Sequence, residues 1–145
     1  MIGLLQRVTS ASVTVDGEVI GEIGRGLLVF VAVHRDDQEK DIARLAERIL
    51  SYRVFPDATQ RMNRSLVDEA LDLLLVPQFT LAADTKKGTR ASFTRAATPA
   101  IGESYFGQLV AACKDRLGTV ETGRFGANMQ VSLTNDGPVT FWLES

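Results

Sequence analysis

Seven consecutive apolar residues, Leu27-Leu28-Val29-Phe30-Val31-Ala32-Val33, follow the glycines Gly24 and Gly26. Successive side chains of a strand point to opposite faces, so an unbroken apolar run needs cover on both sides. The run is far too short for a membrane span, which takes about 20 residues. It therefore predicts a central strand buried on both faces. The chain has 145 residues, of which 45% are hydrophobic. That is enough to build a real core in one domain, residues 1–145, and it argues against disorder.

Other elements can be placed around this strand. Residues 2–8 read as a first strand, and Ser12-Val13-Thr14-Val15 alternates up to Asp16-Gly17, a strong hairpin signal, before a return over 19–23. Asp36 or Asp37 can cap a helix over 38–51, with Ile42, Leu45, Ala46, Ile49 and Leu50 on one stripe. A short strand over 52–55, a polar loop over 59–66 and a strand over 71–81, interrupted by Pro77, follow. Residues 84–99 read as a long loop. A second helix over 100–117 carries Ile101, Tyr105, Leu109, Ala112 and Cys113 on one face and stops at Gly118. Strands are expected over 119–122, 129–133 and 139–143, the last two joined as a hairpin through Asn135-Asp136-Gly137-Pro138. The sum is an α+β fold: a mostly antiparallel, barrel-like β-sheet with two main helices packed on it.

Composition excludes several functions. The net charge of −2 is unlike that of a purely electrostatic nucleic-acid binder, so any RNA contact must come from a local basic patch. Cys113 is the one cysteine and His34 the one histidine. They rule out an internal disulfide and are too few for a structural zinc site. The segment Met1-Ile2-Gly3-Leu4-Leu5-Gln6-Arg7 is too briefly apolar for a signal peptide and has no basic start. A soluble, cytoplasmic protein without membrane contact is the expectation. Cys113, on the apolar helix face, reads as core; His34 reads as a strand-end residue and Trp142 as a packed strand residue.

Three constellations could carry chemistry. Gly137-Pro138 is either a hairpin turn or a rigid backbone wall. An X-Pro bond adopts cis at only about 0.5–1 kcal/mol above trans, and the glycine before it lets backbone approach a ligand closely. Such a wall could exclude one side-chain direction without reading the side chain, which makes it a chirality filter. Gln78-Phe79-Thr80 follows Pro77, and beside such a break backbone N–H groups can act as an oxyanion hole. Thr80 could be a nucleophile, but a hydroxyl needs a base beside it and no Ser/His/Asp arrangement is legible. Lys86, Lys87, Arg90 and Arg95 form a basic cluster that is either a solvated loop or a phosphate contact.

Several motifs occur in order along the chain: Gln6-Arg7-Val8-Thr9, Ala11-Ser12-Val13-Thr14-Val15, Gly24 with Gly26-Leu27-Leu28, Met62-Asn63, Gln78-Phe79-Thr80-Leu81, Thr122-Gly123-Arg124-Phe125-Gly126-Ala127 with Met129, and Asn135-Asp136-Gly137-Pro138-Val139-Thr140. Together they resemble the D-aminoacyl-tRNA deacylases over nearly the whole length. The resemblance implies hydrolysis of the ester joining a D-amino acid, or glycine, to tRNA, with no metal or cofactor. It implies a homodimer in which each subunit lends Gly137-Pro138 to the other's active site to reject L-aminoacyl groups. Arg7 would support that turn, Met129 would contact substrate, and Gln78, Phe79 and Thr80 would form the catalytic pocket. The 2′-hydroxyl of the terminal adenosine, which DNA lacks, would assist in place of a protein nucleophile. One departure stands out: the family's motif has serine where this chain has Pro77. Two other readings remain open at this stage, a non-catalytic tRNA-binding module and a hydrolase of small D-amino esters.

Overall fold

The computed structural model describes all 145 residues. Strand β1 (Ile2–Val15) is the spine of the sheet. It is one strand, where the sequence suggested two. Asp16-Gly17 turns it into β2 (Glu18–Ile23), both turn residues having positive φ. Along one edge β1 pairs antiparallel first with β3 (Gly26–Ala32) through Ile2–Val8 and then with β2 through Ala11–Val15. Along its other edge lies β8 (Gln130–Glu144), also antiparallel.

The remaining pairings correct the expected topology. Strand β6 (Asp72–Pro77) lies parallel to β3, and β7 (Glu121–Thr122) lies parallel to β6. The sheet is therefore mixed, not mostly antiparallel. The cause is connectivity: helix α1 (Glu39–Ser51) intervenes between β3 and β6, and helix α3 (Pro99–Leu117) between β6 and β7. A strand that returns after crossing a helix layer re-enters in the same direction. The sheet curls until β2 approaches β7. A Cβ on Gly21 would lie 2.8 Å from the Thr122 carbonyl oxygen, so only glycine permits this near-closure.

The apolar run behaves as its pattern requires. Leu27, Val29 and Val31 join the core under the helices with Leu45, Ile49, Leu109 and Cys113, while Leu28 faces the barrel interior with Val8, Val13, Leu74 and Val76. All five residues of the α1 stripe are buried. Its N-cap is Gln38, whose N–H donates to Asp41 at 2.8 Å, rather than either aspartate before it. Asp37 instead accepts from the Met1 α-ammonium and from the His34 N–H, both at 2.7 Å.

The second long helix is rotated from its expected face: Gly102, Phe106, Leu109 and Cys113 are buried, while Ile101 is 45% exposed. Thr98 precedes it, Pro99 takes the first turn, where a missing N–H costs nothing, and Gly118 ends it at φ 82°. The segment expected as loop over 59–66 contains β5 (Met62–Arg64), which pairs with β4 (Phe55–Pro56), and leads into the short helix α2 (Leu66–Glu69). Asp57 fastens that hairpin. Hydrogen bonds from the Asn63 side chain, then from Thr59 and Arg61, hold its carboxyl down at about 2. No helix is long and apolar enough to cross a membrane.

Candidate active site

Strands β3, β6 and β7 run parallel and end toward the same edge, at Ala32, Pro77 and Thr122. Ligands of parallel sheets bind beyond the carboxyl ends of the strands, and here a cavity of about 460 Å³ opens at that edge. Its walls come from the ends of β3 and β6, the start of α3 and the segment after β7, including Val33, Val76, Phe106, Phe125 and Met129. Not one of its lining residues is ionisable.

Pro77 closes β6 instead of interrupting a longer strand. It stands opposite Val31, and the next residue, Gln78, resumes pairing by donating its N–H to the Val31 carbonyl at 2.7 Å. The chain then tightens into a 3₁₀ turn, Phe79–Ala82, where a continuing strand was expected. The N–H groups at the head of such a turn have no acceptor within it. Gln78 and Phe79 line the cavity. Thr80 does not, and its hydroxyl is bonded to Gln78 Nε2, an amide that cannot take a proton from it.

Met129 lines the cavity as well, positioned by the Arg124 N–H, which donates to its Sδ at 3.4 Å. Gly123 makes room for it, since a Cβ there would sit 2.8 Å from that sulfur. Phe125 is similarly admitted by Gly102 on α3, whose Cβ would lie 3.3 Å from the ring. The apolar liners escaped sequence reading because a cavity wall and a core face have the same pattern.

The basic residues lie on the segment after the 3₁₀ turn, and none of them lines the cavity. Asp84 and Ser92 exchange backbone hydrogen bonds of 2.7 and 3.0 Å, closing the loop that carries Lys86, Lys87 and Arg90. Arg95 follows, its carbonyl accepting from the Arg35 N–H at 2.9 Å. None of the four cations forms an ion pair. Phe93, between them, packs on Phe79 with ring centroids 5.1 Å apart, and Phe79 remains 61% exposed.

Arg7, Gly137 and Pro138 lie outside this cavity. The 135–138 segment is not a hairpin: β8 runs past it along β1. The register passes from Gln6↔Thr140 to Val8↔Asn135, so Arg7 alone stands opposite residues 136–139, which bulge out. Within the bulge the Gly137–Pro138 bond is cis, and both residues are exposed. Arg7 Nε donates to the Asp136 carbonyl at 2.9 Å and lies 3.3 Å from its carboxylate, while Nη1 donates to the Val54 carbonyl at 2.6 Å. Asn135, whose contribution the sequence did not reveal, bonds to Arg7 and Val139 across the base of the bulge.

Of the residues singled out from sequence, then, Gln78, Phe79 and Met129 share one cavity, Thr80 follows them in the 3₁₀ turn, and Lys86, Lys87, Arg90 and Arg95 lie on the segment after that turn, outside the lining. Arg7, Gly137 and Pro138 form a second, separate group. No cluster of three or more His, Cys, Asp or Glu side chains is placed to hold a metal ion. Trp142, expected to be packed, is 50% exposed, and Cys113 is fully buried, its thiol pushed up to about 12 by desolvation.

Comparison of the whole chain with known proteins places it in a known class of hydrolase. A family model described as D-Tyr-tRNA(Tyr) deacylase matches residues 4–144, and the chain belongs to that family. It is 61% identical over 145 residues to a D-aminoacyl-tRNA deacylase of Alkalilimnicola ehrlichii, covering 100% of this chain and 97% of the relative. The D-aminoacyl-tRNA deacylase of Escherichia coli is 54% identical over 144 residues, 99% of each chain. Among solved structures, a c-Myc DNA unwinding element binding protein superposes with a TM-score of 0.95 at 38% identity, covering 100% of this chain and 99% of that one.

Proposed function

We propose that this protein hydrolyses the ester between a D-amino acid and the 3′ end of tRNA, and likewise clears mischarged glycyl-tRNA. The observation that carries the reading is a cavity without an ionisable side chain, bordered by the 3₁₀ turn at Gln78 and Phe79, in a member of the deacylase family. Such a wall supplies no acid or base, and its one hydroxyl, on Thr98, has no base among the lining residues to activate it. What it offers is shape and backbone dipoles. The N–H groups heading the turn are suited to the carbonyl oxygen as it gains charge. Water adds to the carbonyl carbon, and the bond to the ribose 3′-oxygen breaks. One proton of that water passes to the 3′-oxygen and the other is released to solvent, leaving a carboxylate and free tRNA. The neighbouring 2′-hydroxyl is suited to assist this step in place of an acid or base from the protein.

Gly137 and Pro138 supply the rejection of L-aminoacyl groups, acting on the cavity of a second copy. Two features support this division. The bulge is exposed and lies outside its own cavity. Leu4 also pairs with both Phe30 and Trp142, which sets an apolar row across one face of the sheet that a second copy would cover. Lys86, Lys87, Arg90 and Arg95 would hold the acceptor-end phosphates beside the rim. Met129 and Phe79 would pack against the substrate, and the protein would work in the cytoplasm, where its substrate is.

The deciding experiment compares hydrolysis of D-tyrosyl-tRNA and L-tyrosyl-tRNA under chelating conditions. Rapid loss of the D ester alone supports the reading. Loss of neither returns the chain to a tRNA-binding module, and equal loss of both refutes the chiral filter.

A further inference from the structure

We infer that Asn135 is a positioning residue for stereochemical discrimination, acting through the Gly137–Pro138 bulge without touching substrate. The inference rests on the deacylase reading above. Its basis is a pair of reciprocal grips. The Asn135 side chain donates through Nδ2 to the Arg7 carbonyl at 2.8 Å and to the Val139 carbonyl at 2.9 Å, and its Oδ1 accepts from the Val139 N–H at 3.1 Å. The Arg7 side chain reaches the other way and holds the Asp136 carbonyl at 2.9 Å. One side chain thus ties the two ends of the bulge to each other and to β1, while the other ties the bulge's first residue to the same point on β1.

No other residue type of this size can do this. The three bonds require two donated hydrogens and one acceptor on a short planar group, which among side chains of that length only asparagine provides. Aspartate would keep the acceptor and set its second oxygen against two carbonyls. The strand ladder cannot compensate, because it is interrupted here, between the pairs Gln6↔Thr140 and Val8↔Asn135. Arg7 reaches further: its bond of 2.6 Å to Val54 links the bulge to the segment between α1 and β4. The bulge is held by two side chains, of which Arg7 is itself anchored to Val54, and the Asn135 side chain is the part that closes its base.

A wall that rejects one enantiomer works only if it cannot yield, since specificity is a difference between two affinities and a yielding wall reduces that difference. Loosening Asn135 should therefore let L esters in while leaving the cavity, and the reaction of D esters, nearly as they are. The test measures hydrolysis of D- and L-tyrosyl-tRNA by wild type, Asn135→Ala and Asn135→Asp, with thermal melting of each, and Ile49→Val as a control that loosens the remote helix core. The expected result is a fall of at least about tenfold in the D-to-L ratio of kcat/KM for both Asn135 variants, arising from gained L hydrolysis. Ile49→Val should lower the melting temperature with the ratio unchanged.

Asn135 variants that melt earlier but keep the wild-type ratio would overturn the inference and leave Asn135 a stabilising residue only. If Asn135→Ala does not fold, Asn135→Asp decides alone by the same ratio. Wild type that hydrolyses neither ester overturns the deacylase reading itself, and this inference with it. A selective wild type with unaltered variants overturns this inference alone.

Discussion

Replacing Arg7 by methionine keeps most of the apolar stem and deletes the guanidinium, which isolates what the head group does. That head group serves two carbonyls. The one on Val54 belongs to a fully buried residue, and losing its partner leaves it stranded at a cost of about 2–3 kcal/mol. The one on Asp136 is at a half-exposed position where water can replace the donor, so about 1 kcal/mol is lost there. The ion pair to the Asp136 carboxylate, whose side chain is 40% exposed, adds no more than about 0.5 kcal/mol. Arg7→Met should thus lower the free energy of unfolding by about 3–4 kcal/mol, a large share of the 5–15 kcal/mol typical of a domain. Arg7→Lys, with a single point-like donor, can reach one carbonyl but not both, and should recover about half. Urea unfolding followed by far-UV circular dichroism gives the magnitude, and the D-to-L ratio of hydrolysis gives the functional effect. A loss below about 1 kcal/mol with the ratio intact would refute the claim that Arg7 holds the bulge. Full recovery by lysine would refute the two-carbonyl geometry.

Gly123→Ala should push Met129 into the cavity, because the new methyl would meet its sulfur at 2.8 Å while the backbone conformation suits alanine. KM for D-tyrosyl-tRNA should rise about three- to tenfold with kcat nearly constant, at a stability cost of about 1 kcal/mol; an unchanged KM would remove Met129 from the substrate site. The Cys113 thiol stays protonated in the folded state up to about 12, against an ordinary value of 9.0. The unfolded chain therefore releases a proton above pH 9 that the native one keeps. Stability should fall by up to about 1.4 kcal/mol per pH unit from that group as pH rises above 9. Cys113→Ala should flatten the alkaline arm of a pH–stability curve relative to wild type, and parallel curves would show that the thiol is not desolvated. Lys86→Gln, Lys87→Gln and Arg90→Gln should each leave the melting temperature unchanged and reduce the salt slope of tRNA affinity by about 0.7–0.9; an unaltered slope would mark the loop as merely solvated.

The parts of the fold legible in sequence were those decided by local pattern. The stripe Ile42, Leu45, Ala46, Ile49 and Leu50 is buried as the helical period requires, and the run from Leu27 to Ala32 is covered on both faces apart from half-buried Phe30. Where residues on both sides of a helix are small or apolar, the period loses its force. In α3 Gly102 is buried in place of Ile101, and the Phe125 ring packs closely on it, where a Cβ would lie 3.3 Å away. Strand direction was lost for a different reason, since pairing depends on segments far apart in the chain. The helix between β3 and β6 carried the relevant signal, as a crossover implies parallel strands. Asn135-Asp136-Gly137-Pro138 has every mark of a hairpin turn. It is a bulge because β1 continues past it and offers β8 a partner on both sides, pairing as far as Thr14↔Gln130.

The same topology explains why the two halves of the candidate site could be read separately but not placed together. The cavity is a product of two crossovers, which gather the ends of β3, β6 and β7 at one edge. The bulge is a product of β1 and β8, held by Arg7 and Asn135, and shares no lining residue with the cavity. A backbone filter gains from this separation. It can be held rigid by its own polar grips without stiffening the pocket. The pocket, having no ionisable group, can remain apolar without having to orient a catalytic triad. On the proposed reading, joining the two falls to the second copy of the chain. Stereoselectivity then depends on the assembly, while the shape of the cavity is already complete in one subunit.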